Sequence, residues 1–281
     1  MTQQKMESLT PITQAAWVCP APAQSEAPGC TMHRLCTQAE PDVNAIGNPS
    51  PLIIANRKVV RGALLFCAGD SFKSLFSIRS GFFKTTVTML DGREQVTGFH
   101  MNGDVVGLDG IGTRWHTSNA VALENSQVCV FPFERIAGLA LKVPELQNCL
   151  HGILSQEIVR EHQVMLMLGS MHADERVAAF LVELMDRLRE RGWSDREAVL
   201  RMSRSEIGSY LGLTLETVSR AFSVLAAERI IQVKLRHLIV LDPERLRRIS
   251  SGSPNFAKPP ARRMAAPVAV TGQPLLDAWP A

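Results

Sequence analysis

Ile207-Gly208-Ser209-Tyr210-Leu211-Gly212-Leu213-Thr214-Leu215-Glu216-Thr217-Val218-Ser219-Arg220 is the stretch that decides the fold. Ser203, with Glu206 three residues on, is a capping box that opens a helix over Ser203–Tyr210. Gly212 supplies a turn after Leu211, and Thr214 opens a second helix over Leu215–Glu228. Ile231–Leu235, the basic turn Arg236-His237 and Leu238–Leu241 then form a two-stranded wing. Helix, short glycine turn, helix and hairpin make a winged helix-turn-helix. On the second helix Glu216, Ser219 and Arg220 stand at i, i+3 and i+4 and share one face. Val218, Phe222 and Leu225 line the opposite face and pack it down. An arginine can bind guanine O6 and N7 together, a glutamate can accept from cytosine N4, and a serine can touch a thymine. The competing reading is a cap acid beside a solvated arginine. Thr214 and Thr217 complete the candidate DNA-binding set.

Upstream of this unit the periodicity changes twice. Short β-leaning runs recur at Leu64–Phe66, Leu75–Ile78, Phe82–Met89, Gln95–His100, Asn119–Leu123 and Gln127–Phe133. Turn signals separate them, among them Asp91-Gly92 and Asn102-Gly103-Asp104, so residues 51–145 predict an all-β barrel or sandwich. From Pro132 onward the pattern is helical. Leu154, Ile158, Glu161, Met165 and Leu168 fall on an a/d seam within a helix over 146–172, and a seam needs a partner. That points to a homodimer, the alternative being a helix packed on its own domain. Residues 173–250 form the winged unit. Residues 1–50 and 251–281 are rich in Pro, Ala and small polar residues; the first predicts an irregular segment and the second a disordered tail.

The chain has 281 residues, enough for two modest domains, with 46% apolar and 20% charged residues. A net charge of +3 excludes a protein held to polyanions by gross charge and leaves room for a local basic face. Residues 195–250 carry ten Lys/Arg against seven Asp/Glu, an excess placed where phosphates would lie. No run of apolar residues is long enough to span a membrane, and the N-terminus has no signal-peptide core, so a cytoplasmic protein is expected. No P-loop, HExxH or GxSxG motif supports an enzyme, and the scattered histidines give no zinc-like pair.

Six cysteines stand at 19, 30, 36, 67, 129 and 149. In a reducing compartment they read first as small buried hydrophobes. Cys19, Cys30 and Cys36, however, lie in a polar, proline-rich segment with nothing to bury them, which favours ligands over packing. Cys67 and Cys149 read as packing residues.

The stretch Ile207–Arg220 resembles the signature of the CRP/FNR family of bacterial transcription regulators. Phe66-Cys67-Ala68-Gly69-Asp70, Ile78-Arg79-Ser80-Gly81, Gly98-Phe99-His100 and Gly103-Asp104-Val105-Val106-Gly107 resemble turns of that family's N-terminal β-roll. The likeness covers about residues 28–250 and is nearest to the oxygen-responsive FNR branch. It implies an α+β architecture: a jelly-roll-like β-roll, a long dimerisation helix and a C-terminal winged helix-turn-helix. It implies a dimer that reads double-stranded DNA at a TTGAT-type inverted repeat, with RNA polymerase as a further partner. It also implies a [4Fe–4S] cluster on three N-terminal cysteines and one from the β-roll. Cys30 and Cys36 keep the family's five-residue gap, and Cys129 stands where the β-roll ligand belongs. The remaining family cysteine falls on Ala27, a departure from the pattern, and Cys19 is the nearby thiol that could replace it. His33 and Glu26 are the alternatives. Cyclic nucleotide is not expected. The cAMP-binding relatives have a Gly-Glu segment and an Arg-Ser pair, whereas here Leu108 follows Gly107 and Arg114 is not beside Ser118. Asp109 and Arg114 read instead as surface-loop residues. A cluster-free regulator answering another signal, or an electron-transfer protein using the same cysteines, are the competing functions.

Overall fold

The computed structural model describes residues 55–250. Cys19, Glu26, Ala27, Cys30, His33 and Cys36, expected above as cluster ligands or their alternatives, and the 251–281 tail lie outside these residues.

Strands β1 (Ala55–Val59), β8 (Ser126–Pro132), β3 (Ser74–Ser80) and β6 (Val105–Val106) form one antiparallel sheet in that order. Strands β2 (Leu64–Phe66), β7 (Asn119–Ala122), β4 (Phe82–Thr88) and β5 (Glu94–Met101) form the other. Side chains alternate across each strand, and the inner faces of the two sheets are apolar. Those faces close on Val59, Phe66, Phe76, Ile78, Phe83, Ala120 and Val128. This is the jelly-roll-like β-roll that the family resemblance implies, where the strand spacing alone predicts a barrel or sandwich. Asp91-Gly92 turns β4 into β5 as its sequence predicts, with Thr88 opposite Glu94 and Gly92 at φ +84.

Short helix α1 (Gly110–Thr113) interrupts the roll, and α2 (Phe133–Ala140) follows it. Then comes α3 (Pro144–Ser170), whose first turn contains Pro144. Proline at this position loses no helical hydrogen bond, so the helix starts two residues earlier than the seam alone predicts. Its first turns and α2 cover the outer face of the β8 sheet through Leu75, Phe131, Ile136, Ala140, Leu146 and Ile153. Helix α4 (Ala173–Glu190) returns the chain toward the roll.

The winged unit contains α5 (Arg204–Leu211), α6 (Leu215–Ala227), the hairpin β10 (Ile231–Lys234) and β11 (His237–Val240), and α7 (Pro243–Ile249). The capping box is present: Ser203 accepts from the Glu206 N–H, and Glu206 accepts from the Ser203 N–H. Gly212 ends α5 at φ +64, a conformation that penalises any side chain. Gly208 is required for another reason: a Cβ there would lie 2.6 Å from the Leu213 carbonyl oxygen. Two elements of the winged unit escaped the sequence reading. Strand β9 (Glu197–Val199) adds a third strand to the wing beside β11, and three residues are too few to show alternation. The other is α7, although Asp242-Pro243 is a start signal; Asp242 accepts from the Arg245 N–H.

Candidate nucleic-acid interface and sensor site

Helix α6 presents its two faces as its sequence predicts. Val218, Ala221, Phe222 and Leu225 are buried, while Glu216, Ser219 and Arg220 are exposed. Arg204 lies over the Phe222 ring at 3.2 Å and helps fix the helix, a cation–π contact. Thr214 caps the helix by accepting from the Thr217 N–H at 3.2 Å, and the two hydroxyls sit 3.1 Å apart. Hydrogen bonds from the Glu216 backbone N–H and the Thr214 hydroxyl hold the Glu216 carboxyl below its ordinary range. The helix therefore offers an anion at its first turn and a cation one turn on, both facing outward.

The reading unit is docked on the β-roll. Strand β5 is a sheet edge, and its Val96 N–H donates to Ser209 Oγ at 2.9 Å. Gln95 donates to the Ser209 carbonyl, and Lys84 pairs with Glu206 at 3.1 Å. One apolar cluster runs through Phe82, Val96 and Phe99 of the roll into Phe180, Leu184, Ile207, Tyr210 and Leu211.

Sequence reasoning missed the strongest electrostatic feature. Asp104, in the turn before β6, is 7% exposed. It takes Arg187 on one oxygen and Arg191 on the other, each at 2.6 Å, with Arg160 of α3 at 3.8 Å. The Met101 N–H adds a fourth donor. Burial alone would raise its pKa, but Arg187, Arg191 and Arg160 outweigh burial and bring it down to about 2. The tripeptide Asn102-Gly103-Asp104 announced only a turn, because its arginines lie far along the chain.

Asp109 is not the simple surface-loop residue that its position predicts. Its carboxylate accepts from Thr117 N (2.8 Å), Ser118 N (3.0 Å), Ser118 Oγ (2.9 Å) and the buried His116 Nδ1 (3.1 Å). Arg114 does lie in a loop, paired with Glu134 at 2.5 Å.

Cys129 lies on β8, half-buried, with its Sγ donating to Asn56 Oδ1 at 3.3 Å. It packs against the same apolar cluster as Leu146, Cys149, Leu150 and Ile153 of α3. Cys149 packs against this cluster from α3. Cys67 is half-buried in a turn, its N–H donating to Asp70. The Cys129 strand β8 is one strand in from the sheet edge, which β1 forms. A thiol suits a soft metal centre completed by other cysteines. Among the described residues no three His, Cys, Asp or Glu side chains converge on a metal position.

The predicted seam is largely bare. Ile158 is 56% and Met165 67% exposed, Glu161 and Leu168 are also exposed, and Leu154 is half-buried. Val159 and Leu166 widen the apolar strip.

The cyclic nucleotide-binding domain family matches residues 56–142, and the Crp-like helix-turn-helix domain family matches residues 175–249. The chain is 40% identical to the transcriptional activator protein Anr of Pseudomonas protegens, over 82% of this chain and 94% of that protein. The chain belongs to the CRP/FNR family of transcription regulators. The CRP/FNR assignment also rests on the fumarate and nitrate reduction regulatory protein of Escherichia coli, 37% identical over 81% of this chain and 91% of that one. The structure of FixK2 from Bradyrhizobium japonicum superposes with a TM-score of 0.65 at 29% identity, covering 69% of this chain and 96% of its own. This CRP/FNR protein is therefore a DNA-binding transcription regulator and not an enzyme. Among the described residues no helix is long and apolar enough to cross a membrane.

Proposed function

We propose that this regulator reads a TTGAT-type inverted repeat as a homodimer, and that a [4Fe–4S] cluster sensitive to oxygen controls the dimer. The observation that carries the reading is the place of Cys129, in one apolar cluster with the first turns of α3. A change in what Cys129 holds acts directly on the helix whose later turns bear the exposed strip. Names among the relatives fit: one is the electron transport regulator A of Shewanella oneidensis, 39% identical over 77% of this chain. Cys30, Cys36 and Cys129 would hold the cluster, with Cys19 as fourth ligand in place of Ala27. When bound, the cluster supplies iron–sulfur chemistry that oxygen destroys. Leu154, Ile158, Met165 and Leu168 would form the dimer seam, and the two Arg220-bearing helices would enter major grooves about one turn apart. No cyclic nucleotide enters this reading, since the loop N–H groups of Thr117 and Ser118 already donate to Asp109. The protein works in the cytoplasm in this reading, with RNA polymerase as its second macromolecular partner. The test is purification without air, followed by iron content, visible spectrum and binding to the repeat before and after air. A colourless, iron-free dimer that binds the repeat in air sinks the cluster reading and favours a cluster-free regulator.

Arg220→Ala is expected to weaken binding to the repeat by roughly 1–3 kcal/mol per half-site and to relax the preference for G. Equal losses on specific and scrambled DNA would show that Arg220 touches only phosphate.

Glu161 lies in the seam. Two-fold symmetry would bring two of these carboxylates together in a partly dry interface, where like charges repel and desolvation adds cost. The acid thus holds the cluster-free protein apart until the cluster tips the balance by a few kcal/mol. Glu161→Ala should sediment as a dimer in air and bind the repeat there. If mutant and wild type both remain monomers, or wild type is already a dimer without iron, Glu161 is not the brake.

A further inference from the structure

We infer that Asn56 is a positioning residue for the metal-bound form of Cys129; the inference rests on the cluster reading above. Asn56 and Cys129 are directly opposite each other in the antiparallel pairing of β1 and β8, and β1 is the sheet edge. Directly opposed residues share a sheet face with their Cβ atoms about 5 Å apart. Here the amide oxygen accepts from the thiol at 3.3 Å. A primary amide carries an acceptor and two donors on one planar group. Half a turn about its terminal torsion exchanges the oxygen for the nitrogen. Asn56 can therefore accept from Cys129 while the sulfur keeps its proton and donate to it once the sulfur is a metal-bound thiolate. No other proteinogenic side chain of this length and neutral charge combines an sp2 acceptor with an NH2 donor. Partners of this kind orient a ligand and strengthen its hold on the metal, and their loss commonly costs tenfold or more in affinity.

Aspartate at this place separates the two states. It can still accept from the protonated thiol, but it sets a negative charge against a thiolate. Asn56 is exposed, so substitutions there leave the fold intact. Lys58 is two residues along the same strand and on the same face, and it is also exposed. Lys58→Gln changes the net charge by the same amount as Asn56→Asp, which makes it the control for charge alone.

The experiment loads the full-length protein anaerobically with iron and sulfide. It measures bound iron, the rate at which the visible band fades on admitting air, and the melting temperature of the metal-free form. Asn56→Asp should lose the band roughly tenfold faster than wild type or retain correspondingly less iron. Asn56→Ala should fall between them, Lys58→Gln should match wild type, and all metal-free melting temperatures should agree. If wild type holds a cluster and Asn56→Asp holds it equally well, the inference is overturned while the cluster reading stands. If Lys58→Gln fades as fast as Asn56→Asp, the effect is general charge and Asn56 positions nothing. A wild type that takes up no iron overturns the cluster reading and this inference with it.

Discussion

Asp104→Asn is expected to destabilise the protein by about 3–5 kcal/mol, because removing one partner strands buried charge of the opposite sign. Arg187 and Arg191 have side chains only 14% and 10% exposed, and both end on this carboxylate. An asparagine can accept from one of them but neutralises neither. A native domain is stable by only about 5–15 kcal/mol, so the loss is a large share of the total. The same contact sets an acid limit. The Asp104 carboxyl has an ordinary value of 3.8 and is held at about 2 in the fold. A depressed carboxyl stabilises fully above its unfolded value and loses that contribution as pH falls through its folded value. Wild type should therefore weaken between about pH 4 and pH 2 by a step that Asp104→Asn lacks. Denaturant midpoints across that range measure both effects. A mutant within 1 kcal/mol of wild type at neutral pH would show that the arginines find other partners.

The second large effect is all-or-none. Cys30→Ser, Cys36→Ser and Cys129→Ser should each abolish anaerobic iron retention and repeat binding, since a serine hydroxyl is a poor substitute for a soft thiolate. Cys67→Ser and Cys149→Ser should leave iron in place. Cys19→Ser decides the fourth position. If it keeps a full cluster, His33 and Glu26 are tested next. If Cys149→Ser loses iron instead, the fourth ligand comes from α3, where Cys149 shares the apolar cluster with Cys129. Metal-free Cys129→Ser should melt with wild type, which separates lost ligation from lost folding.

Much of the architecture is local in origin and was legible for that reason. The capping box at Ser203 and Glu206, the positive φ at Gly212 and the Asp91-Gly92 hairpin are each written within four residues. The split of α6 into a packed face of Val218, Phe222 and Leu225 and an exposed face of Glu216, Ser219 and Arg220 follows from helical periodicity alone. The apolar strip on α3 was legible on the same ground, as was the need for something to cover it. Short β9 and β6 were not, since two or three residues cannot establish a period.

The sequence by itself thus determined most of the longer elements, the apolar face of the α3 and α6 helices and which residue types stand outward on α6. Only the tertiary structure decided which distant residues meet. It closed Asp104 on Arg160, Arg187 and Arg191, set Ser209 against the open edge of β5, and placed Asn56 across from Cys129. The physical reason is range. Backbone propensity, capping and periodicity act within a few residues, where the chain itself holds the partners together. Ion pairs and cross-strand contacts between residues tens of positions apart exist only after the apolar faces have packed, and nothing near either partner in the chain announces them.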